Sequence, residues 1–304
     1  MEKIKKIPVI IDTDPGIDDA VALLLTYKNI EYFDIKLLCS TAGNTPIEQS
    51  TKNVQFFAEN FFPGVRVAKG IEKPLVRSDA KNAKNIHGRT GLGAFTFSDS
   101  NYPVEKDSAK AMFEVLSNSD EPITIITLGP LTNVARLLIT YPKAKDYIKE
   151  IYCMIGSIEG TGNITPYAEF NAYFDPEAFD IVSKSGIKLI VNSMELGEYA
   201  QISKDQLIPD GFTSLKSKLI YELVLGKKDD PTDKIIYLYD ANSICAITNP
   251  NFYNFTPCNI EVSTRKEDYG KCILTEDKNG KHLYQTLKNK NNFGKYIIHS
   301  LENL

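Results

Sequence analysis

Four aspartates fall within eight residues of the N-terminal stretch IIDTDPGIDDA, at positions 12, 14, 18 and 19. The apolar run before them predicts a buried strand, Pro15-Gly16 predicts a turn, and residues 18–28 carry apolar positions at helical spacing. The acids therefore lie at the C-terminal edge of a strand and in the first turn of a helix, where open α/β sheets bind ligands. One acid there would cap the helix, but four repel one another unless a cation or shared protons compensate.

Strand and helix signals alternate through the first two thirds of the chain, which predicts an α/β fold with a mainly parallel, doubly wound sheet flanked by helices. The strand candidates are residues 7–12, 34–40, 65–68, 123–128, 151–155 and 187–192. The helix candidates are residues 18–28, 46–60, 106–118, 131–139 and 176–185. Residues 200–250 have a helical pattern, and a final helix is expected over 289–303. Between them, residues 258–286 predict a small β-hairpin or meander around a type I′ turn at Asn279-Gly280.

Composition fits one enzyme domain spanning residues 1–304, since 42% of the residues are hydrophobic and can bury a large core. A net charge of -4 argues against a nucleic-acid partner, which would require a basic face. No extended apolar segment precedes Asp12, so neither a secretory signal nor a membrane span is expected, and we predict a cytoplasmic protein. The five cysteines show no C-x-x-C spacing and are interpreted as reduced core thiols.

The acidic stretch allows two other interpretations. In a calcium loop of the EF-hand type, the glycine would stand at the sixth position and a glutamate at the position of Leu23, so that interpretation is excluded. In the D-x-D motif of aspartyl phosphotransferases, Asp12 would be phosphorylated and Asp14 would act as acid and base. Gly16 stands where those enzymes usually carry threonine or valine, and this interpretation remains the alternative.

The stretch DTDPGIDDA, residues 12–20, closely resembles the N-terminal signature of the inosine-uridine nucleoside hydrolases, calcium enzymes that hydrolyse N-ribosidic bonds. Four further segments resemble that family in the right order along the chain. They are TAGN at 41–44, TLGPLTN at 127–133, GNITPYAEFN at 162–171 and YLYDA at 237–241. The resemblance implies the family's α/β fold, a ribonucleoside substrate and a homodimer or homotetramer.

The resemblance also implies a metal site. Its ligands would be the carboxylates of Asp14, Asp19 and Asp240 and the backbone carbonyl of Leu128. All are hard oxygen donors, which favours Ca²⁺ over magnesium or zinc. Without the resemblance, Asp240 would be interpreted as an ordinary helix cap, and Thr132 or Asn133 likewise.

Ribose binding is assigned by the same resemblance, with Asp18 holding the 2′-hydroxyl and Asn44 lying near the metal and the ribose hydroxyls. Amide and carboxylate groups suit ribose because each hydroxyl both donates and accepts hydrogen bonds. The remaining substrate-binding candidates are Met154, Asn163, Glu169, Phe170 and Asn171. Nearby, Asp175 is expected to cap the next helix, with Pro176 at its first position.

The chain departs from the family pattern at Tyr239, where many members carry a histidine implicated in protonating the departing base. Its three histidines are His87, His282 and His299. The last two are expected to be solvated or to pack, whereas His87 lies in a glycine-rich loop resembling the family's mobile active-site loop. We therefore expect Tyr239 to stack on the base, favouring purines, or to donate through its phenol, with His87 assisting protonation.

These assignments predict hydrolysis of ribonucleosides to ribose and free base without a covalent sugar intermediate. Calcium would make a water more acidic, Asp14 would take its proton, and the water would attack C1′. Asp12 is expected to orient its neighbours rather than bind the metal. The alternatives left open are a hydrolase of another N-riboside such as nicotinamide riboside, a homologue that binds ribosides without turnover, and the phosphotransferase.

Overall fold

The computed structural model describes residues 5–206, 215–225 and 235–304. Its strands are β1 (Ile7–Thr13), β2 (Phe33–Ser40), β3 (Arg66–Lys69), β4 (Ile123–Thr127), β5 (Ile148–Met154), β6 (Leu189–Asn192), β7 (Gln201–Ser203), β8 (Ile235–Tyr237), β9 (Tyr253–Val262), β10 (Cys272–Glu276) and β11 (His282–Leu287). Its α-helices are α1 (Ile17–Lys28), α2 (Ile47–Phe61), α3 (Lys84–His87), α4 (Ser108–Ser117), α5 (Thr132–Thr140), α6 (Phe170–Phe174), α7 (Pro176–Ser183), α8 (Met194–Tyr199), α9 (Leu215–Leu225), α10 (Ala241–Thr248) and α11 (Lys290–Glu302). Within these ranges, no helix combines the length and apolarity needed to cross a membrane.

Nine of the described strands form one sheet in the order β10-β9-β11-β6-β5-β4-β1-β2-β3. Every neighbouring pair from β11 to β3 is parallel, while β9 runs antiparallel to both β10 and β11. The strands β7 and β8 pair antiparallel in a separate small sheet. The predicted mainly parallel, doubly wound sheet is therefore confirmed.

Helices cover both faces of the large sheet, and this explains the continuous apolar runs of its central strands. Along β1, Val9 and Ile11 face a core formed with α1, α2, α9, α10 and α11, whereas Ile10 faces a core formed with α4, α5 and α7. All three side chains are fully buried. This period of two is what a strand buried on both faces requires.

The order of the sheet reverses between β1 and β4. From β1 the chain winds outward to β2 and β3, and from β4 it winds the other way to β5 and β6. The loops after β1 and β4 therefore diverge and leave a crevice at their C-terminal ends, where doubly wound sheets bind ligands. The backbone amide of Leu128 donates to the carbonyl of Asp12 at 2.8 Å, which ties the two strand ends together.

The helical prediction for residues 200–250 is wrong in part. The described residues there include β7, a 3-10 helix at Lys204–Gln206 and β8, besides α9 and α10. Each of the two strands has only three residues, with Ile202 opposite Ile236, so the apolar pattern is too short to distinguish strand from helix. Residues 207–214 and 226–234 of this prediction lie outside the described part of the chain.

The predicted small β-hairpin near the C-terminus is confirmed, but the type I′ turn expected at Asn279-Gly280 is wrong. These residues connect β10 to β11, which lie on opposite sides of β9, and the actual hairpin joins β9 to β10. Neither residue has the positive φ that a type I′ turn needs. A Cβ on Gly280 would lie 2.6 Å from the backbone nitrogen of Cys258, so this glycine serves a close crossing of β9.

All five cysteines are buried free thiols, as predicted. They lie in β2, β5, α10, β9 and β10, inside the sheet and its helical layers. Burial raises the pKa of the Cys258 thiol to about 11, which keeps it protonated at neutral pH.

Candidate active site

Asp14 lies at the bottom of the crevice, directly after β1, and is fully buried. Its Oδ2 accepts a hydrogen bond of 2.6 Å from the backbone amide of Asn44, which follows β2. A Cβ on Gly43 or Gly129 would come within 2.9 or 2.7 Å of the carboxyl carbon of Asp14. Both glycines therefore leave room for this one carboxylate. Its other oxygen, Oδ1, accepts no hydrogen bond from any described group.

Asp19 is buried beside it and is held by three donors. The hydroxyl of Thr13 donates to its Oδ1 at 2.5 Å, and its Oδ2 accepts from the amide of Gly16 at 2.9 Å. The side-chain amide of Asn44 donates to the same Oδ2 at 3.0 Å. Asn44 therefore bridges Asp14 and Asp19, which places it in the cluster as the resemblance implies.

Asp18, Asp19 and Asp240 each present a carboxylate oxygen within 4.8 Å of the other two. Asp240 stands at the N-cap position of α10, but its side chain makes no capping hydrogen bond. Instead, its Oδ1 and the Oδ1 of Asp18 are buried oxygens that accept no hydrogen bond from the described residues. The structure thus brings a residue from near the C-terminus into contact with the N-terminal acids, and adds Asp18 to the cluster.

The electrostatics of this cluster are unfavourable without a compensating charge. Burial raises the pKa of Asp14 and Asp240 well above the usual range, and the neighbouring aspartates raise it further. Burial also raises the pKa of Asp18 to about 6. Unpaired buried oxygens of this kind require either protons or a cation. Because every donor is an oxygen, the residues fit a hard divalent cation such as Ca²⁺ or Mg²⁺.

The carbonyl of Leu128 follows β4 and borders Asp14 through Gly129. In the structure this carbonyl accepts a hydrogen bond of 3.0 Å from the side-chain amide of Asn171. The same amide lies 3.0 Å from the carbonyl of Met154 at the end of β5. Three sequence-predicted residues therefore meet at the next strand ends, beside the carboxylates.

Glu169 is buried at the N-cap of α6, and its carboxylate is held by backbone amides. Gly156 and Ala172 donate to Oε2 at 2.9 and 3.0 Å, and Asn171 donates to Oε1 at 2.8 Å. Burial raises the pKa of this carboxyl group to about 7, although the three hydrogen bonds act to lower it. The side chain is thus rigidly placed one residue before Phe170, which is half-buried against Phe174.

Asn163 makes none of the hydrogen bonds described above for this cluster. It is exposed in the loop between β5 and α6, several residues before the buried Glu169. Among the described residues, none of the carboxylates of the site contacts the side chain of Asn163. Its assignment to the ribose therefore stays a prediction.

His87 ends the short helix α3 and is 9% exposed. Its Nδ1 accepts a hydrogen bond of 3.2 Å from the amide of Ile17 and lies 3.8 Å from Oδ1 of Asp18. A Cβ on Gly16 would come within 2.7 Å of that nitrogen, so glycine permits the contact. The glycine-rich loop thus carries His87 to the first turn of α1. Of the other histidines, His282 is buried and accepts from the amide of Leu189, and His299 is exposed, as predicted.

Tyr239 is half-buried at the edge of the cluster, immediately before Asp240. Its ring lies against Gly197 of α8 and 5.9 Å from the ring of Tyr237. Burial raises the pKa of its phenol, and the carboxylates of Glu198 and Asp18 raise it further. The phenol therefore stays protonated at neutral pH.

Sequence reasoning missed Asn133 as a member of the site. Its side-chain amide donates to Oδ1 of Asp12 at 2.7 Å and to the carbonyl of Ser40 at 2.9 Å, and its oxygen accepts from the amide of Ile71. Asn133 therefore joins β1, β2 and the root of the loop that carries His87. The only sequence signal was an amide directly after a strand end, which is equally typical of a turn.

The capping prediction for Thr132 and Asn133 is wrong, because Leu131 is the N-cap of α5 and no side chain caps it. The hydroxyl of Thr132 instead donates to Oδ2 of Asp175 at 2.8 Å. The prediction for Asp175 is confirmed, since its Oδ1 accepts from the amide of Ala178 and Pro176 begins α7.

Residues 9–294 match the family described as inosine-uridine preferring nucleoside hydrolase. Over 263 residues, covering 86% of each chain, the sequence is 33% identical to a protein of Escherichia coli named non-specific ribonucleoside hydrolase. It is 32% identical to the protein of that name in Shigella flexneri, with the same coverage. The fold matches a plant nucleoside hydrolase with a TM-score of 0.89 at 23% identity, covering 99% of this chain and 100% of that one. A purine-preferring ribonucleoside hydrolase from Gardnerella vaginalis matches with a TM-score of 0.86 at 20% identity, covering 97% and 98%.

Proposed function

The chain belongs to the inosine-uridine preferring nucleoside hydrolase family, and we propose that it hydrolyses the N-ribosidic bond of ribonucleosides with calcium as its cofactor. The observation that carries the proposal is the group of aspartates at the sheet reversal. The carboxylates of Asp18, Asp19 and Asp240 converge, and Asp14, Asp18 and Asp240 each keep a buried oxygen that accepts no hydrogen bond from the described residues. An assay of inosine, adenosine, uridine, cytidine and nicotinamide riboside, with and without a chelator, tests it. Turnover of ribonucleosides that chelation abolishes is the expected result.

We assign the metal to Asp14, Asp19, Asp240 and the Leu128 carbonyl, with Asp18 beside them. A divalent cation bound there would supply the positive charge that acidifies a water and attracts ribose hydroxyls. The donor set is all oxygen and numbers four, which suits calcium, an ion that completes a shell of six to eight ligands with water and sugar oxygens; magnesium demands a tighter octahedral shell. Asn44 and Thr13 hold the carboxylates in place through the hydrogen bonds described above.

Asp14 is the proposed general base. Its Oδ2 is occupied by the amide of Asn44, which leaves Oδ1 to take the proton of the attacking water. Two glycines leave room for this carboxylate and the amide of Asn44 holds it in place, so that the proton acceptor needs little reorganisation during the reaction. The water then attacks C1′ of the ribosyl group, and the bond from C1′ to the base nitrogen breaks.

The ribose lies, in this proposal, between Asp18 and the segment that carries Glu169 and Asn171. Asp18 has a buried oxygen that accepts nothing from the described residues and is available to a sugar hydroxyl. Glu169 and Asn171 are held rigidly by backbone partners at the neighbouring strand ends. Buried polar groups of this kind select hydroxyls strongly, because a sugar lacking one leaves its partner unpaired.

Replacing Glu169 with glutamine or Asn171 with alanine should lower kcat/KM for all ribonucleosides by a similar factor, because both residues are assigned to the common ribose. For the wild type, kcat/KM for a 2′-deoxyribonucleoside should be lower than for the ribonucleoside by about a hundredfold or more, since Asp18 loses the 2′-hydroxyl that it is assigned to bind. Steady-state kinetics with inosine, uridine and 2′-deoxyinosine measure both effects. A change confined to the ratio between bases would contradict the ribose assignment.

Leaving-group activation falls to His87 and Tyr239 in this proposal. Because Nδ1 of His87 accepts from the amide of Ile17, the proton of the neutral ring is on Nε2, the atom that we assign to protonation of the base. The ring of Tyr239 offers an aromatic surface that gains more from a purine than from a pyrimidine.

If Tyr239 stacks on the base, Tyr239→Phe should be nearly silent, while Tyr239→Ala should lower kcat/KM about tenfold, mainly for purine ribosides. If the phenol instead protonates the leaving base, Tyr239→Phe should by itself lower kcat/KM on the order of a hundredfold. His87→Ala should impair nucleosides more than p-nitrophenyl riboside, whose leaving group needs no proton. Equal tolerance of Tyr239→Ala and His87→Ala on every substrate would refute both roles.

The phosphotransferase alternative is disfavoured because Asp12, the nucleophile it requires, is fully buried and bonded to Asn133. A non-catalytic homologue would bind ribosides in the assay above without releasing base. We further propose a homodimer or homotetramer in a reducing compartment such as the cytoplasm. The five buried free thiols support the reducing compartment.

A further inference from the structure

Gly197 lies in α8 directly against the ring of Tyr239, in a contact that only glycine allows. A Cβ built on Gly197 would lie 2.7 Å from Cγ and 2.8 Å from Cε1 of that ring. Carbon atoms in favourable contact are about 3.5–4.0 Å apart. The ring therefore rests on the backbone of the helix, and any side chain at position 197 must displace it.

The backbone of Tyr239 is held from two sides, so the ring rather than the chain must yield to such a side chain. The side-chain amide of Asn192, which is fully buried at the end of β6, donates to the carbonyl of Tyr239. The next residue, Asp240, is buried in the carboxylate cluster. A displaced ring has to rotate away from α8, toward the crevice or toward Tyr237.

The position of this ring matters because Tyr239 directly precedes Asp240, whose carboxylate lies in the acidic cluster with Asp18 and Asp19. An aromatic side chain at that place borders the volume that the leaving base occupies in the proposed function.

We propose that Gly197 is a positioning residue that sets the preference for the leaving base by holding the Tyr239 ring against α8. This inference rests on the proposed function. Gly197 itself touches neither ribose nor metal, and acts only through the ring. Its replacement should therefore change the discrimination between bases and leave ribose binding intact.

The test is Gly197→Ala, with Gly294→Ala as the matched control. Both glycines lie inside helices, where alanine is the better helix former, so neither change should unfold the protein. Among the described residues, a Cβ on Gly294 would meet only Cγ2 of Ile202, at 3.3 Å. For Gly197→Ala we expect the ratio of kcat/KM for inosine over uridine to change about tenfold, a typical effect of one misplaced pocket group. The inhibition constant of free ribose should stay within about twofold for both variants.

A double-mutant cycle shows whether Gly197 acts through Tyr239. In a Tyr239→Ala background, adding Gly197→Ala should leave the inosine-to-uridine ratio unchanged, because the displaced ring is gone. An unchanged ratio in Gly197→Ala alone, or fully additive effects in the cycle, would overturn the inference. A wild type that hydrolyses neither nucleoside would overturn the proposed function and this inference with it, so the two failures are distinguishable.

Discussion

Asp14→Ala should lower kcat by about four orders of magnitude, because it removes a metal ligand and the proposed general base together. Asp14→Asn should lower it nearly as far, although the amide keeps the shape that Gly43 and Gly129 accommodate. Purified variants assayed with inosine at saturating calcium measure the effect. Activity within about tenfold of the wild type in either variant would be incompatible with this role.

A matched control separates this loss from damage to the fold. Asp107→Ala removes another aspartate, the exposed N-cap of α4, whose Oδ1 accepts from the amide of Lys110 at 3.1 Å. That variant should lose about 1 kcal/mol of unfolding free energy and no activity. Asp14→Asn should instead raise the stability of the calcium-free protein. A neutral amide replaces a buried carboxylate that, without calcium, must take up a proton or repel its neighbours, so the chelated variant should melt at a higher temperature than the chelated wild type.

The fold and the place of the site were predictable because they depend on local signals. Apolar runs of strand length predicted the parallel sheet. The acids directly after Ile11 then had to lie at the C-terminal edge of that sheet. Likewise, two neighbouring residues, Asp175 as N-cap and Pro176 as first residue, were enough to predict where α7 begins. Where the determinant is a few neighbouring residues, pattern reasoning succeeds.

Features that depend on contacts between distant segments were not predictable in the same way. Asn279-Gly280 has the composition of a hairpin turn, but β11 pairs on the far side of β9, and this pairing decides the backbone conformation. The bond from Asn133 to Asp12 joins residues 121 positions apart. Asp240 shows the same limit, since only the family resemblance, and no local pattern, linked it to the N-terminal aspartates.

Removing the metal should lower kcat by about a thousandfold or more, and calcium should restore it in proportion to site occupancy. Bound calcium should also stabilise the fold by about 2.7 kcal/mol at a hundred times its dissociation constant. Differential scanning calorimetry of the chelated and calcium-saturated protein measures the second effect. Asp14→Asn, which lacks one ligand charge, should lose most of this calcium-dependent rise in Tm.

The stability that calcium contributes should grow with pH, and the sign follows from the raised pKa values. Burial raises the pKa of Asp12 to about 7 and that of Asp18 to about 6, whereas both groups have a pKa near 3.8 in the unfolded chain. Between these limits the folded, metal-free protein binds more protons than the unfolded chain, so its stability falls as the pH rises from about 4 to 7.

Calcium replaces those protons as the compensating charge, so it competes with them at low pH and is unopposed at neutral pH. The rise in Tm on adding calcium should therefore be small at pH 5 and larger at pH 7.5. Magnesium at the same concentration should give a smaller rise, because the site offers carboxylates from several elements rather than a compact octahedral shell. A calcium-induced rise that is independent of pH, or that survives in Asp14→Asn, would mean that the ion binds elsewhere on the protein.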